Sequence, residues 1–183
     1  MTEISTDIES ALKFLYMDEL IAIPTETVYG LAANAFSEDA VKKIFELKQR
    51  PIFNPLIVHI GSIDDLDKIA KNIPDVAWKL AEAFWPGPLT LLLEKKDIIP
   101  DIVTAGSERV AVRIPKHKLT LDLLSKLTFP VAAPSANPFM SISPTKAIHV
   151  MNYFEGKLKF ILEGGNCEKG IESTIIGFED KDA

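Results

Sequence analysis

Residues 21–31 read IAIPTETVYGL, and how this stretch is read sets the class of the fold. Leu20, Ile21, Ala22 and Ile23 form an apolar run closed by Pro24. Proline donates nothing to a β-ladder and drives the preceding residue into extended geometry, so a buried strand should end at Ile23. Thr25, Glu26 and Thr27 follow. They can fold as an ordinary turn whose side chains bond the local backbone, or they can line the rim of an α/β sheet, where ligands gather at strand ends. Tyr29 and Gly30 are expected to turn the chain away into the next helix.

Before this strand, Ile8, Ala11, Leu12 and Leu15 recur at helical spacing, and Thr6 followed three residues later by Glu9 reads as a capping box. After it, Ser37 precedes EDAVKKIFELKQRP. There Ala40, Val41, Ile44, Phe45 and Leu47 make one face of a helix that must stop before Pro51. Lys48 and Arg50 are therefore expected at an accessible helix C-terminus. PLIVHI (55–60), LTLLLEK (89–95), RVAVRIP (109–115), FPVAAP (129–134), KLKFILEGG (157–165) and STIIGF (173–178) read as strands. SIDDLDKIA (62–70), PDVAWKLAEAFW (74–85) and KLTLDLLSKL, begun near Thr120, read as helices, and Ser143-Pro144 as N-cap and first helical residue of PTKAIHVMNYF. Strands and helices alternate without a long repeat, so the expectation is an α/β fold: one domain over 1–183 with a twisted, open, mixed sheet and flanking helices. IAIP runs into TET, FPVAAP into SAN, and LEGG precedes GIEST. Such small, hydroxylated strand ends form a shared cleft if they lie side by side.

The 183 residues, 47% hydrophobic and 25% charged, suit a soluble globular domain. The longest apolar stretches, such as LTLLL, fall far short of a membrane span, and MTEISTDIES lacks the pattern of a secretory signal, so a cytoplasmic protein with no membrane partner is expected. Cys167 is the single cysteine and the histidines at 59, 117 and 149 are scattered, which gives no zinc-ligand spacing and no expected metal ligands. A net charge of -6 weighs against stable nucleic-acid binding. The basic residues nevertheless cluster, as Lys42, Lys43, Lys48 and Arg50, and as Arg109, Arg113, Lys116, His117 and Lys118. Converging, they could hold a small polyanion; pointing away from one another, they are a solvated surface.

PTETVYGL, KQRP followed by NPLIVHI, WPGPLT, VAVRIP, APSAN, SPTKA and ESTII occur in this order. Together they resemble the YrdC-like threonylcarbamoyl-adenylate synthases, in their short form, over roughly residues 18–178. The resemblance implies a concave, cationic cavity and the use of ATP, L-threonine and bicarbonate, with Mg²⁺ beside the nucleotide. The products would be threonylcarbamoyl-AMP and pyrophosphate, the former passed to downstream tRNA-modifying proteins for N6-threonylcarbamoyladenosine at position 37. It implies Lys48 and Arg50 as catalytic cations that also hold ATP, with Ile52, Arg109, Ser135, Asn137 and Ser143 as further ATP contacts. Threonine would meet Thr25, His59, Arg113, Ala133 and Ser173. Each residue also has a plainer reading. Lys48 and Arg50 complement a helix dipole, Arg113 sits on an exposed strand face, and His59 is a hydrogen-bonded core histidine. Ser135 and Asn137 make a turn, and Ser143 only caps a helix. In FWPGPLT, Phe84 and Trp85 suggest adenine stacking or, more simply, a helix end packed on the core.

The sequence departs from the family pattern at Arg109, where threonine is usual, at Asn54, where histidine is common, and at Glu163, where aspartate is common. The family also continues past ESTII into an R-P-G segment that residues 179–183 do not contain. The expectation is therefore a chain truncated at its C-terminus or a nucleotide site completed differently. Three other functions match parts of this pattern. The carbamoyl-adenylating module of hydrogenase-maturation proteins comes with zinc-finger-like cysteines that this chain lacks. A double-stranded RNA-binding or ribosome-associated module would use the same cavity against the acidic balance. A serine hydrolase at Ser135 lacks the glycine-flanked nucleophile elbow.

Overall fold

A computed structural model describes residues 1–178. Its strands are β1 (Glu3–Ser5), β2 (Ile21–Ile23), β3 (Gly30–Asn34), β4 (Ile57–His59), β5 (Ala70–Lys71), β6 (Leu89–Lys95), β7 (Arg109–Arg113), β8 (Val131–Ala132), β9 (Phe160–Leu162) and β10 (Thr174–Gly177). They form one mixed sheet in the order β1-β9-β2-β3-β8-β4-β7-β6-β10, with β5 paired to β6. The helices are α1 (Ile8–Tyr16), α2 (Glu38–Lys48), α3 (Leu66–Ile69), α4 (Asp75–Phe84), α5 (Asp101–Thr104), α6 (Lys118–Lys126) and α7 (Ala147–Phe154).

The apolar run at β2 is continuous because both of its faces are covered. Ile21 and Ile23 join the cluster formed with Ala11, Leu12 and Leu15 of α1 and Leu123 and Leu124 of α6. Ala22 faces the larger cluster, with Val41, Ile44 and Phe45 of α2. β8 runs antiparallel to both β3 and β4, and β4 runs parallel to β7 with His59 beside Arg113. This register brings the loops after β2 and β8 and the end of β7 to one region.

Several local expectations are corrected. Gly30 opens a strand, not a helix: β3 folds back on β2 with Ile23 opposite Gly30 and Ile21 opposite Ala32. A Cβ at Gly30 would lie 3.3 Å from the Ala133 Cβ, a tight contact that favours glycine at this close approach. Asp7, not Thr6, caps α1, its carboxylate accepting the Glu9 and Ser10 N–H groups. α6 falls on the expected KLTLDLLSKL stretch, and Thr120 in its first turn donates its hydroxyl to the Pro24 carbonyl at 2.5 Å. α7 begins at Ala147 with Lys146 in the cap position, so Ser143 caps nothing. The Pro144 carbonyl instead accepts the Tyr29 N–H at 2.8 Å, which draws the Ser143-Pro144 segment to the end of the hairpin.

Tyr29 is fully buried; its hydroxyl donates to the Gly165 carbonyl (2.9 Å) and accepts the Gly164 N–H (3.2 Å). A Cβ at Gly164 would lie 2.5 Å from Pro24 Cγ and 2.6 Å from His117 Cε1. The proline ring cannot rotate away. Gly164→Ala should therefore cost about 1–3 kcal/mol of stability by overpacking, seen as a lower urea midpoint with an unchanged slope.

Candidate functional site

A cavity of about 230 Å³ opens where these loops meet. At its back lies Arg113, the last residue of β7, only 4% exposed. A buried guanidinium requires partners on most of its N–H groups. Its Nε donates to the Gly87 carbonyl (3.1 Å), Nη2 donates to Thr27 Oγ1 (3.0 Å), and Nη2 also lies 2.8 Å from Glu26 Oε1. Glu26 is itself fixed by the Lys116 N–H on Oε2 at 2.9 Å. The expectation of an exposed strand-face cation is thus corrected, because the TET loop folds over the β7 end and buries it.

The hydroxyls of this loop form a chain with one sense. Thr25 Oγ1 donates to the Val28 carbonyl at 2.6 Å and accepts the Thr27 and Val28 N–H groups. Thr27 Oγ1, 2.8 Å away, must then be the donor to Thr25, and it receives Arg113, which can only donate. The two readings of TET are both realised: the loop is a side-chain-bonded turn and also a wall of the cavity. Beside it, His59 is 3% exposed, and burial, reinforced by Arg113, pushes its pKa down to about 3. The imidazole is therefore neutral, and its buried Nδ1 has no partner among the described residues.

On the opposite wall Arg50 donates from Nε to the Asn54 carbonyl (3.2 Å) and from Nη2 to the Pro55 carbonyl (2.9 Å). Ala133, Ser135 and Ser173 complete the lining, and Ser173 exchanges a hydrogen bond with Thr90 at 2.7 Å. Of the residues singled out in the sequence, Thr25, Arg50, His59, Arg113, Ala133, Ser135 and Ser173 are brought together around one cavity.

The other five do not line it. Lys48 is 1% exposed, not at an accessible helix end, because its side chain turns inward and Nζ donates to the Ser135 and Asn137 carbonyls behind the lining. Asn137 is also buried, with Nδ2 donating to the Pro138 and Ser141 carbonyls and Oδ1 without a partner among the described residues. Ser143 donates to Glu172 Oε1 at 2.9 Å at the cavity mouth. Ile52, 61% exposed, lies in a separate shallow hollow with Phe53 and Asp101. Arg109 is exposed at the far end of β7, about 13 Å along the strand from Arg113. Trp85 packs on the core with Nε1 donating to the Leu89 carbonyl, and Phe84 is exposed outside the cavity.

Sequence reasoning placed the TET stretch at a ligand-bearing rim but gave Glu26 and Thr27 no individual role, and it missed Glu172. A signal existed for the first: an arginine predicted on a strand with apolar neighbours needs a carboxylate if that strand is central. A second, larger cavity of about 350 Å³ is walled by Ile60, Ile69, Leu124 and Phe129, and its one lysine, Lys68, is bonded to Asp65. With Lys68 offset by Asp65, its lining among the described residues carries no net positive charge for an anionic ligand. Among the described residues, no three His, Cys, Asp or Glu side chains converge as metal ligands, and no helix is long and apolar enough to cross a membrane.

A buried guanidinium, a neutral imidazole and ordered hydroxyls at the strand ends of a mixed sheet define an α/β domain suited to a small zwitterion or anion. The chain belongs to the Sua5/YciO/YrdC family, whose model, described as telomere recombination, matches residues 13–183. It is 51% identical over 169 residues to the threonylcarbamoyl-AMP synthase of Pyrococcus abyssi, covering 92% of this chain and 50% of that protein. To the threonylcarbamoyl-AMP synthase of Bacillus subtilis it is 48% identical over 182 residues, covering 97% and 53%. The crystal structure of P. abyssi Sua5 complexed with L-threonine superposes with a TM-score of 0.94 at 48% identity, over 97% of this chain and 54% of that one. The chain thus spans about half the length of these relatives.

Burial, and secondarily Arg50, lowers the Lys48 pKa from its ordinary 10.5 to about 8. The unfolded chain then binds this proton more tightly than the folded one, so the group's contribution to stability rises with pH between about 8 and 10.5 and is least below 8. Lys48→Met should abolish that rise. Because it also leaves the Asn137 carbonyl without its donor, while the Ser135 carbonyl keeps the Asn137 N–H at 3.0 Å, it should lower stability at neutral pH by about 1–3 kcal/mol, both effects being read from urea unfolding across the pH range.

Proposed function

We propose that this domain makes threonylcarbamoyl-AMP and pyrophosphate from L-threonine, bicarbonate and ATP, as a nucleotidyltransferase that feeds cytoplasmic tRNA-modifying proteins for N6-threonylcarbamoyladenosine at position 37. The observation that carries the reading is Arg113, buried at the back of the cavity and anchored on three sides beside a neutral His59. The guanidinium suits the threonine carboxylate. Uncharged His59 accommodates the amino acid without adding a second charge at that depth. The names of the relatives, and the L-threonine in the P. abyssi structure, support the assignment.

The chemistry asks for positioning and charge compensation, with no protein nucleophile. The threonine amine adds to bicarbonate and water leaves, giving a carbamate. One carbamate oxygen attacks the α-phosphorus of ATP, forming the new P–O bond as the bond to pyrophosphate breaks. Arg113, Thr27 and Ser173 hold the amino acid, with Thr25 ordering Thr27 and Ala133 forming the apolar floor. Arg50, facing them across the cavity, offers its remaining N–H groups to bicarbonate or phosphate oxygens. Ser135 meets the nucleotide, and Lys48 positions it from behind by holding its carbonyl, while Asn137 and Ser143 extend the same loop. Ile52 and Arg109 are not used. The lining carries one carboxylate among the described residues, Glu172, which would hold a Mg²⁺ accompanying the nucleotide. When bound, Mg²⁺ neutralises part of the triphosphate charge.

An RNA-binding reading is not favoured, since a 230 Å³ pocket closed by a buried ion pair has no room for a duplex backbone.

Pyrophosphate release should require threonine and bicarbonate together; release without threonine would overturn the assignment. Arg113→Lys, which loses the planar fork, should raise the threonine KM about 10- to 100-fold. Arg50→Ala should lower kcat/KM for ATP about 100-fold while leaving the circular-dichroism spectrum unchanged.

A further inference from the structure

Glu172 lies immediately before Ser173 at the cavity mouth, exposed to solvent. Among the described residues it is the one carboxylate in a lining that otherwise offers Arg50, Arg113, hydroxyls and apolar groups. Its position is held: Oε1 accepts the Ser143 hydroxyl at 2.9 Å, which ties the loop after β8 to the segment before β10. Burial lowers the pKa of both Lys48 and Arg50, and the Glu172 charge opposes that lowering in each, favouring their protonated forms. Glu172 is therefore the counter-charge of the wall that would receive phosphates. A bare triphosphate arriving at that wall meets a fixed negative charge. A triphosphate carrying a divalent cation meets a ligand for that cation.

We propose that Glu172 makes nucleotide binding conditional on Mg²⁺, repelling metal-free ATP and supplying the protein's oxygen to the metal-bound form. The inference rests on the nucleotide reading of the cavity. Glu172 acts here as a specificity-determining residue: it selects which ionic form of the nucleotide enters, and it sets the same barrier against other bare polyphosphates. The Ser143 hydroxyl fixes the carboxylate at the mouth, so that the barrier does not swing away with the side chain.

ATP binding measured by calorimetry, without threonine, in excess Mg²⁺ and in EDTA, tests this. The wild-type chain should bind about tenfold or more tightly with Mg²⁺. Glu172→Gln keeps an oxygen to accept the Ser143 hydroxyl but removes the charge, and should bind ATP in EDTA about tenfold more tightly than wild type, so that the Mg²⁺ ratio collapses. Glu172→Asp, which keeps the charge, should restore most of the ratio. An unchanged ratio in Glu172→Gln, or an affinity in EDTA that does not rise, would overturn the inference while leaving the nucleotide reading intact. No ATP binding by the wild-type chain in either condition would overturn the nucleotide reading itself, and this inference with it.

Discussion

The architecture of the site depends on the ion pair between Arg113 and Glu26. A guanidinium at the end of a strand in the middle of the sheet is tolerable only if its donors are met, and a carboxylate buried beside it is tolerable only for the same reason. Removing either partner would leave the other charged and unpaired. The pair therefore fixes more than itself. It holds the TET loop down on the end of β7, and through the Lys116 N–H it draws in the chain that follows that strand. The cavity is the space left in front of this arrangement, bounded on the far side by Arg50 and the loop after β8.

Much of the sheet was legible because its strands carry strong signals. LTLLLEK becomes β6 at the expected boundaries, and IAI ends at Pro24 as the proline demands. β3 was not legible: GLAAN has small residues, no β-branched side chain and no period of two, and it exists because β2 and β8 offer it ladders on either side. Ser143-Pro144 carries a sound helix-start signal that lost to a tertiary bond, the Tyr29 N–H on the Pro144 carbonyl. Asp7 and Thr6 are both competent caps, and no local rule separates them.

For the site, residue types and motif order identified seven of the lining side chains, but not their partners. Glu26 and Arg113 are far apart in sequence, and a long-range ion pair leaves no local pattern. Lys48 shows the opposite error. A lysine in the last turn of a helix reads as exposed and dipole-stabilised. Here the long side chain folds inward, where Nζ meets the Ser135 and Asn137 carbonyls; the former also accepts the Asn137 N–H, but the latter depends on the lysine among the described residues. The sheet also separates two kinds of space. The segment at β4 contributes His59 to the polar cavity and the next residue, Ile60, to the apolar one.

The fixed sense of the hydroxyl chain has a consequence for recognition. Arg113 cannot accept, Thr27 gives its proton to Thr25, and Thr25 gives its own to Val28. Neither threonine has hydrogen left for a guest. That corner of the hollow presents a guanidinium edge that wants lone pairs, next to a hydroxyl oxygen that can only take a proton donor. A molecule with an anionic head and an N–H or O–H close behind it satisfies both at once, whereas one bearing oxygen acceptors at both positions sets lone pair against lone pair. The pocket thus tells head from tail by the order of its hydrogens.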